Sequence, residues 1–354
     1  MRARPVYLRR LLHLALVWGL GTSAWTAPGA DGGPVPAAPA PGTDASLALA
    51  IGASLARSHD LGSALAAAFV SAPNARLAID ASTDPAPVEL AALGVDEQLR
   101  LEVGPPAASL LVWILWPRAA VGASPVPRGS ILFLHGICSS RLEHLGHARH
   151  VAALGYTAIL PDLRGQGRST GAWLTYGWQE ARDLRQVLDQ LLRRGVIQEP
   201  LGVFGASYGA ATAHLLAASE PRLAAVVSVA SYTSMREVVP QYVREFVPLL
   251  ASMVSPQAIQ DAVTAGGQMA GFSPDAASPL AAVQQHRVPT LFLHGEKDGS
   301  IPYQHAEQLA AAALGPCRLL AVPGGSHFCG GSDFVRAQAE AWFDLHLRRP
   351  PDVR

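Results

Sequence analysis

The run Gly205-Ala206-Ser207-Tyr208-Gly209 is the place where this chain could do chemistry. It is a G-x-S-x-G motif, and its surroundings decide its meaning. An apolar stretch at 201–204 precedes it, and an Ala-rich helical stretch at 206–218 follows. A serine between a strand and a helix sits on a sharp turn that lifts its hydroxyl clear of the chain. Gly205 and Gly209 leave room for the flanking strand and helix to approach. The helix that follows aims its positive end at the hydroxyl. The bland alternative is a tight turn with an idle serine.

A serine hydroxyl at neutral pH is a poor nucleophile and needs a base, which in turn needs an orienting acid. His327 lies in Pro323-Gly324-Gly325-Ser326-His327-Phe328, a Gly-rich loop behind a strand at 318–322. Asp298 stands just past a strand at 290–293, in His294-Gly295-Glu296-Lys297-Asp298, with Glu296 as its competitor. An acyl-transfer oxyanion needs two backbone donors. One is expected from the N–H of Tyr208. The other is expected from the N–H of Ile137, in the loop His135-Gly136-Ile137-Cys138 that follows a strand at 131–134. His135 itself reads as structural.

Elements able to position these residues are legible. Leu99, Leu101 and Val103 alternate, then Gly104-Pro105-Pro106 breaks the strand, and 109–116 makes a second one. The pair reads as a hairpin at the entry edge of a sheet. From 131 onward, short apolar strands (131–134, 157–160, 201–204, 224–229, 290–293, 318–322) alternate with helices (145–154, 177–192, 206–218, 334–347). Ala181, Leu184, Val187, Leu188 and Leu191 recur at helical steps. This rhythm predicts an α/β fold with a mostly parallel central sheet of about eight strands and helices on both faces. Functional loops should then gather beyond the carboxyl ends of the strands. The stretch 231–280 could cover them as a small cap, and holds Tyr232, Met235, Tyr242, Phe246, Met253, Met269 and Phe272. Such an apolar lid suits an acyl or aryl ester, or its residues merely pack the cap onto the body.

The chain has 354 residues, 49% hydrophobic and 15% charged, with 27 basic against 27 acidic side chains. With zero net charge and scattered Lys and Arg, nothing points to a nucleic-acid partner, and none is expected. Arg2, Arg4, Arg9 and Arg10 precede an apolar stretch at 11–20 and small residues at 21–24. That is the layout of a signal peptide over 1–24, cleaved after Ala24 rather than Ala27, which Pro28 follows. Export, periplasmic or secreted, is expected, with membrane anchoring only if the segment stays uncleaved. An Ala/Pro/Gly linker over 25–44 comes next, then a helical extension over 45–97 packed outside the main core, and the principal domain over 98–350. His144, His147 and His150 recur every third residue. That spacing drifts around a helix and no fourth ligand is evident, so they read as solvated or loop histidines. No metal or cofactor is called for.

The quoted pieces together resemble the α/β-hydrolase superfamily, in its esterase, lipase and serine-aminopeptidase-like branch. Leu134-His135-Gly136, Pro161-Asp162-Leu163-Arg164-Gly165-Gln166-Gly167-Arg168-Ser169, the Ser207 elbow, the Asp298 loop and the His327 loop stand in family order. The resemblance spans about 98–347 and implies the order serine, acid, histidine. It gives Asp162 and Arg164 a loop-shaping role. Ser207 in place of Asp or Cys argues against epoxide-hydrolase, dehalogenase and dienelactone-hydrolase chemistry. The expected activity is hydrolysis of a small carboxylic ester through an acyl-serine. The alternatives are a peptidase or amidase using the same triad, and a non-catalytic binding protein of the same fold. No propeller-sized region precedes the core and no acidic pair offers to hold a peptide amino terminus, which lowers the peptidase reading. In this fold the loops of Cys138 and Cys329 border one pocket, so a disulfide between them is expected, leaving Cys317 free and buried.

Overall fold

The computed structural model describes residues 61–74, 84–118 and 127–347. The expected leader (1–24), the linker (25–44), residues 45–60 of the extension and 348–350 of the domain lie outside them.

One sheet contains β1 (Glu97–Val103), β2 (Ala108–Leu115), β3 (Ser130–Leu134), β4 (Thr157–Pro161), β5 (Leu201–Ala206), β6 (Leu223–Val229), β7 (Thr290–Gly295) and β8 (Cys317–Val322). Their order across it is β1-β2-β4-β3-β5-β6-β7-β8. β2 is antiparallel to β1 and to β4, and the other neighbouring pairs are parallel. The mixed sheet with an antiparallel entry hairpin is the one expected. Every residue of β3, β4, β5 and β7 is buried. Alternate side chains therefore feed two cores. Leu132, Leu134, Val203 and Val226 face one; Ile131, Phe133, Phe204 and Val227 face the other.

The helices are α1 (Leu61–Val70), α2 (Pro87–Ala92), α3 (Leu145–Ala153), α4 (Trp178–Arg193), α5 (Tyr208–Ala217), α6 (Met235–Phe246), α7 (Pro248–Met253), α8 (Pro256–Ala270), α9 (Pro279–Val283), α10 (Gln304–Ala312) and α11 (Asp333–His346). α4 buries the predicted stripe of Ala181, Leu184, Val187, Leu188 and Leu191 against the first core. α11 closes the second core with Val335, Ala339 and Phe343.

Two expectations need correcting. The extension does not pack outside the core: Leu65, Ala66, Phe69 and Val70 of α1 are buried in the same cluster as Leu132 and Leu134. α1 reads LGSALAAAFV, apolar on every side, and a helix of that kind is driven inside. It packs on α8 so closely that a Cβ on Gly266 would stand 2.8 Å from the Ala66 carbonyl oxygen. Nor are two of the three histidines at and within α3 solvated. His144 and His147 are buried, their rings against Phe133 and Phe204. Burial pushes His147 down to about 3, so it packs as a neutral ring. His150 alone reaches outward, to Glu340 at 3.0 Å.

Between β6 and β7, α6, α7 and α8 occupy the stretch expected to form a cap. The starts of α6 and α8 are built from serine caps. Ser234 accepts from the Glu237 N–H, Ser255 from the Ala258 N–H, and Pro256 takes the first turn of α8. Tyr232, Met235, Tyr242 and Phe272 are buried under this layer, while Met253 and Met269 face solvent. Among the described residues no helix is long and apolar enough to cross a membrane.

Candidate active site

β5 ends in the elbow. Ser207 has φ 52° and ψ −115°, a region that costs a non-glycine residue about 1–3 kcal/mol. The surroundings hold it there. The Ser207 N–H donates to the Val229 carbonyl at 2.8 Å, tying the turn to β6. A Cβ on Gly205 would collide with the Gly209 carbonyl, and a Cβ on Gly209 with the Leu134 carbonyl of β3. Only glycine permits that crossing. From below, the Tyr208 phenol donates to Glu180 at 2.7 Å and accepts the Tyr176 N–H at 3.0 Å. α5 starts immediately after Ser207, so its positive end faces the hydroxyl.

β7 and β8 deliver the other two groups at the same end of the sheet. His327, between β8 and α11, lies with Nε2 3.0 Å from Ser207 Oγ and Nδ1 2.8 Å from Asp298 Oδ2. Glu296 does not compete: its carboxylate accepts the Gly324 N–H at 2.8 Å. Asp298 is saturated with donors. Its Oδ1 accepts the N–H groups of Ser300 at 3.0 Å and Ile301 at 2.8 Å. Its Oδ2 takes the His327 contact, and His294 Nε2 stands 3.2 Å away while donating to the Ile301 carbonyl at 2.7 Å. Burial by itself would push the Asp298 carboxyl up. Hydrogen bonds from His294 and His327 outweigh it and hold the group well below the usual carboxylate range. An ionised Asp298 fixes the proton of His327 on Nδ1, which leaves Nε2 to accept the Ser207 proton.

The loop after β3 provides a free donor. The Gly136 N–H is taken by Glu143 at 2.9 Å and the Cys138 N–H by Gln166 at 2.6 Å. Between them, the Ile137 N–H has no partner among the described residues, and neither has the Tyr208 N–H. The stretch 161–169 braces this loop. Asp162 accepts the N–H of Arg141 at 2.7 Å, the Arg141 guanidinium, and the Arg168 N–H at 2.7 Å. Arg164 is held by Asp183. His135 is fully buried and its Nε2 accepts the Leu163 N–H at 2.9 Å, a structural contact.

The expected Cys138–Cys329 bond is absent; both are free thiols. Cys138 faces Tyr176 and Tyr242 in the first core, whereas Cys329 is buried in the second, beside Val322. Nearness of both loops to Ser207 does not put their thiols on one face of the sheet. Burial pushes each up to about 11. Cys317 is exposed rather than buried, since β8 is an edge strand. Two residues near the site escaped the sequence reading. His294 sits four residues before Asp298, next to last in β7, a spacing that carries meaning only once Asp298 is placed. Tyr242 was one aromatic among several in the cap.

Comparison with known proteins agrees with this fold. Residues 129–279 match a family model described as alpha/beta hydrolase fold, a stretch that includes Ser207 and stops short of Asp298 and His327. The uncharacterized protein YqkD of Bacillus subtilis is 28% identical over 200 residues, covering 56% of this chain and 64% of that protein. The chain thus spans less than two thirds of that relative. The esterase PF2001 of Pyrococcus furiosus superposes with a TM-score of 0.56 at 17% identity, over 73% of this chain and 94% of its own. An acylaminoacyl peptidase of Pyrococcus horikoshii superposes at 0.51 with 15% identity, over 73% of this chain and 43% of its own. With the sheet order, the elbow between β5 and α5, and the family match in register with it, the chain has the α/β-hydrolase fold.

Proposed function

We propose that this protein is a serine hydrolase that cleaves carboxylic esters through an acyl-serine. The observation that carries the reading is the unbroken hydrogen-bonded chain from Asp298 through His327 to the strained Ser207. Ser207 Oγ attacks the ester carbonyl carbon while His327 Nε2 takes its proton. Asp298 keeps the imidazole in the required tautomer and offsets its charge. The carbonyl oxygen, now an oxyanion, receives the N–H groups of Ile137 and Tyr208. His327 passes its proton to the departing alcohol. Water, deprotonated by the same imidazole, then releases the acid and restores Ser207.

The esterase among the structural relatives favours an ester substrate; the peptidase keeps an amide open. A panel decides between them. Turnover of p-nitrophenyl acetate, butyrate and palmitate, lost in Ser207→Ala, supports the ester reading. Turnover of aminoacyl p-nitroanilides at comparable kcat/KM would replace it with a peptidase. Export is part of the same proposal, and an intact mass beginning at Trp25 in the mature protein would support it.

A further inference from the structure

Tyr242 is a phenol that the resting protein does not use. It lies on the inward face of α6 with Met235, Val238, Val239 and Val243, all buried. Its ring packs on Phe246, centroids 5.7 Å apart. Its oxygen is buried and has no hydrogen-bond partner among the described residues. Yet it is not among apolar groups alone. The Ser207 hydroxyl lies beside it, short of a formed hydrogen bond, and Asp298, Glu245 and Cys138 are further titratable groups around it. Cys138 directly follows Ile137, so the phenol lies near the loop whose Ile137 N–H is free.

A buried hydroxyl without a partner destabilises a fold, and replacing it with hydrogen would relieve that cost. Its position beside the nucleophile gives it an occupation once substrate is present. An acyl carbon bonded to Ser207 Oγ carries its oxygen within two bonds of that atom, so a phenol beside the hydroxyl is within hydrogen-bond reach of it. We infer that Tyr242 is a third donor to the substrate oxyanion, supplied by the cap to complete the two backbone donors of the body. The contact is a hydrogen bond only; the proton stays on the phenol, which burial holds well above its ordinary pKa. A donor idle in the ground state and engaged in the transition state acts on kcat rather than on KM. The inference rests on the ester-hydrolase reading and names one more residue of that site.

The test is Tyr242→Phe beside wild type, with p-nitrophenyl butyrate kinetics, thermal melting and fluorophosphonate labelling of Ser207. The expected result is a kcat lower by about tenfold to a hundredfold with KM little changed, since single oxyanion donors have effects of this order or larger. The melting temperature should stay the same or rise, and labelling should still reach completion, more slowly. A kcat within twofold of wild type overturns the assignment. So does a kcat loss accompanied by a fall of several degrees in melting temperature, which would make the phenol structural. If wild type neither labels nor turns over any ester, the hydrolase reading fails and this inference fails with it. A labelled, active wild type with an unchanged Tyr242→Phe sinks the Tyr242 assignment alone.

Discussion

Replacing Asp298 by asparagine preserves shape and removes one acceptor, and the structure leaves that variant two poor choices. The wild-type carboxylate accepts the Ser300 and Ile301 N–H groups on Oδ1, and faces His327 and His294 on Oδ2. If the amide keeps its oxygen on the first pair, its NH2 confronts His327. The imidazole must then turn its proton to Nε2 and can no longer accept from Ser207. A wrong tautomer of this kind lowers kcat by about 10⁴. If the amide flips, its oxygen serves His327 and its NH2 faces two buried backbone donors. Each unpaired donor costs about 1–3 kcal/mol, so activity survives with a stability loss of about 2–6 kcal/mol and a clear drop in melting temperature. Asp298→Asn should therefore lose either nearly all kcat or much of its stability. The assay pairs ester kinetics with thermal melting, with Glu296→Gln as a control expected within threefold of wild type. An Asp298→Asn protein with near-normal kcat and an unchanged melting temperature would refute the account of the carboxylate.

Stability should fall in acid through the buried histidines. Burial pushes His214 down to about 3 and His286 down to about 4 from an ordinary 6.5. The unfolded chain therefore takes up protons first; this stability is complete above about pH 6.5 and is lost as pH falls toward 3 to 4. His214 alone should give a slope of about 1.4 kcal/mol per pH unit within that window. Urea titrations at pH 4 to 6.5 check this: His214→Gln should flatten the slope by that amount, and an unchanged slope would contradict it. Gly209→Ala drives a methyl group into the Leu134 carbonyl. It should fold poorly or lose most activity, whereas retention of both would show that the elbow has slack which the geometry does not allow.

The local parts of the site were the legible ones. Glycines two residues either side of Ser207 mark the elbow because the crossing of β5, α5 and β3 excludes any Cβ there. Strands such as β3 and β5 announce themselves because a parallel sheet covered on both faces needs unbroken apolar runs. The cap helices were not seen, although Ser255-Pro256 and Ser278-Pro279 are ordinary helix starts. Their apolar faces are defined only against the body, so no single periodic stripe stands out. The burial of α1 and the separation of Cys138 from Cys329 are tertiary facts. Distance along the chain does not say which face of a sheet a side chain takes. His294 acquires a role only through the carboxylate brought beside it, and the place proposed for Tyr242 only through the hydroxyl brought beside it.

The central claim is that Ser207 is a nucleophile activated by His327. Incubation of the folded protein with a fluorophosphonate, followed by peptide mapping, tests it most directly. The account predicts one covalent adduct, on Ser207, that disappears in Ser207→Ala and is greatly slowed in His327→Ala. A folded wild-type protein that takes no label, or takes it on another residue, would contradict the account.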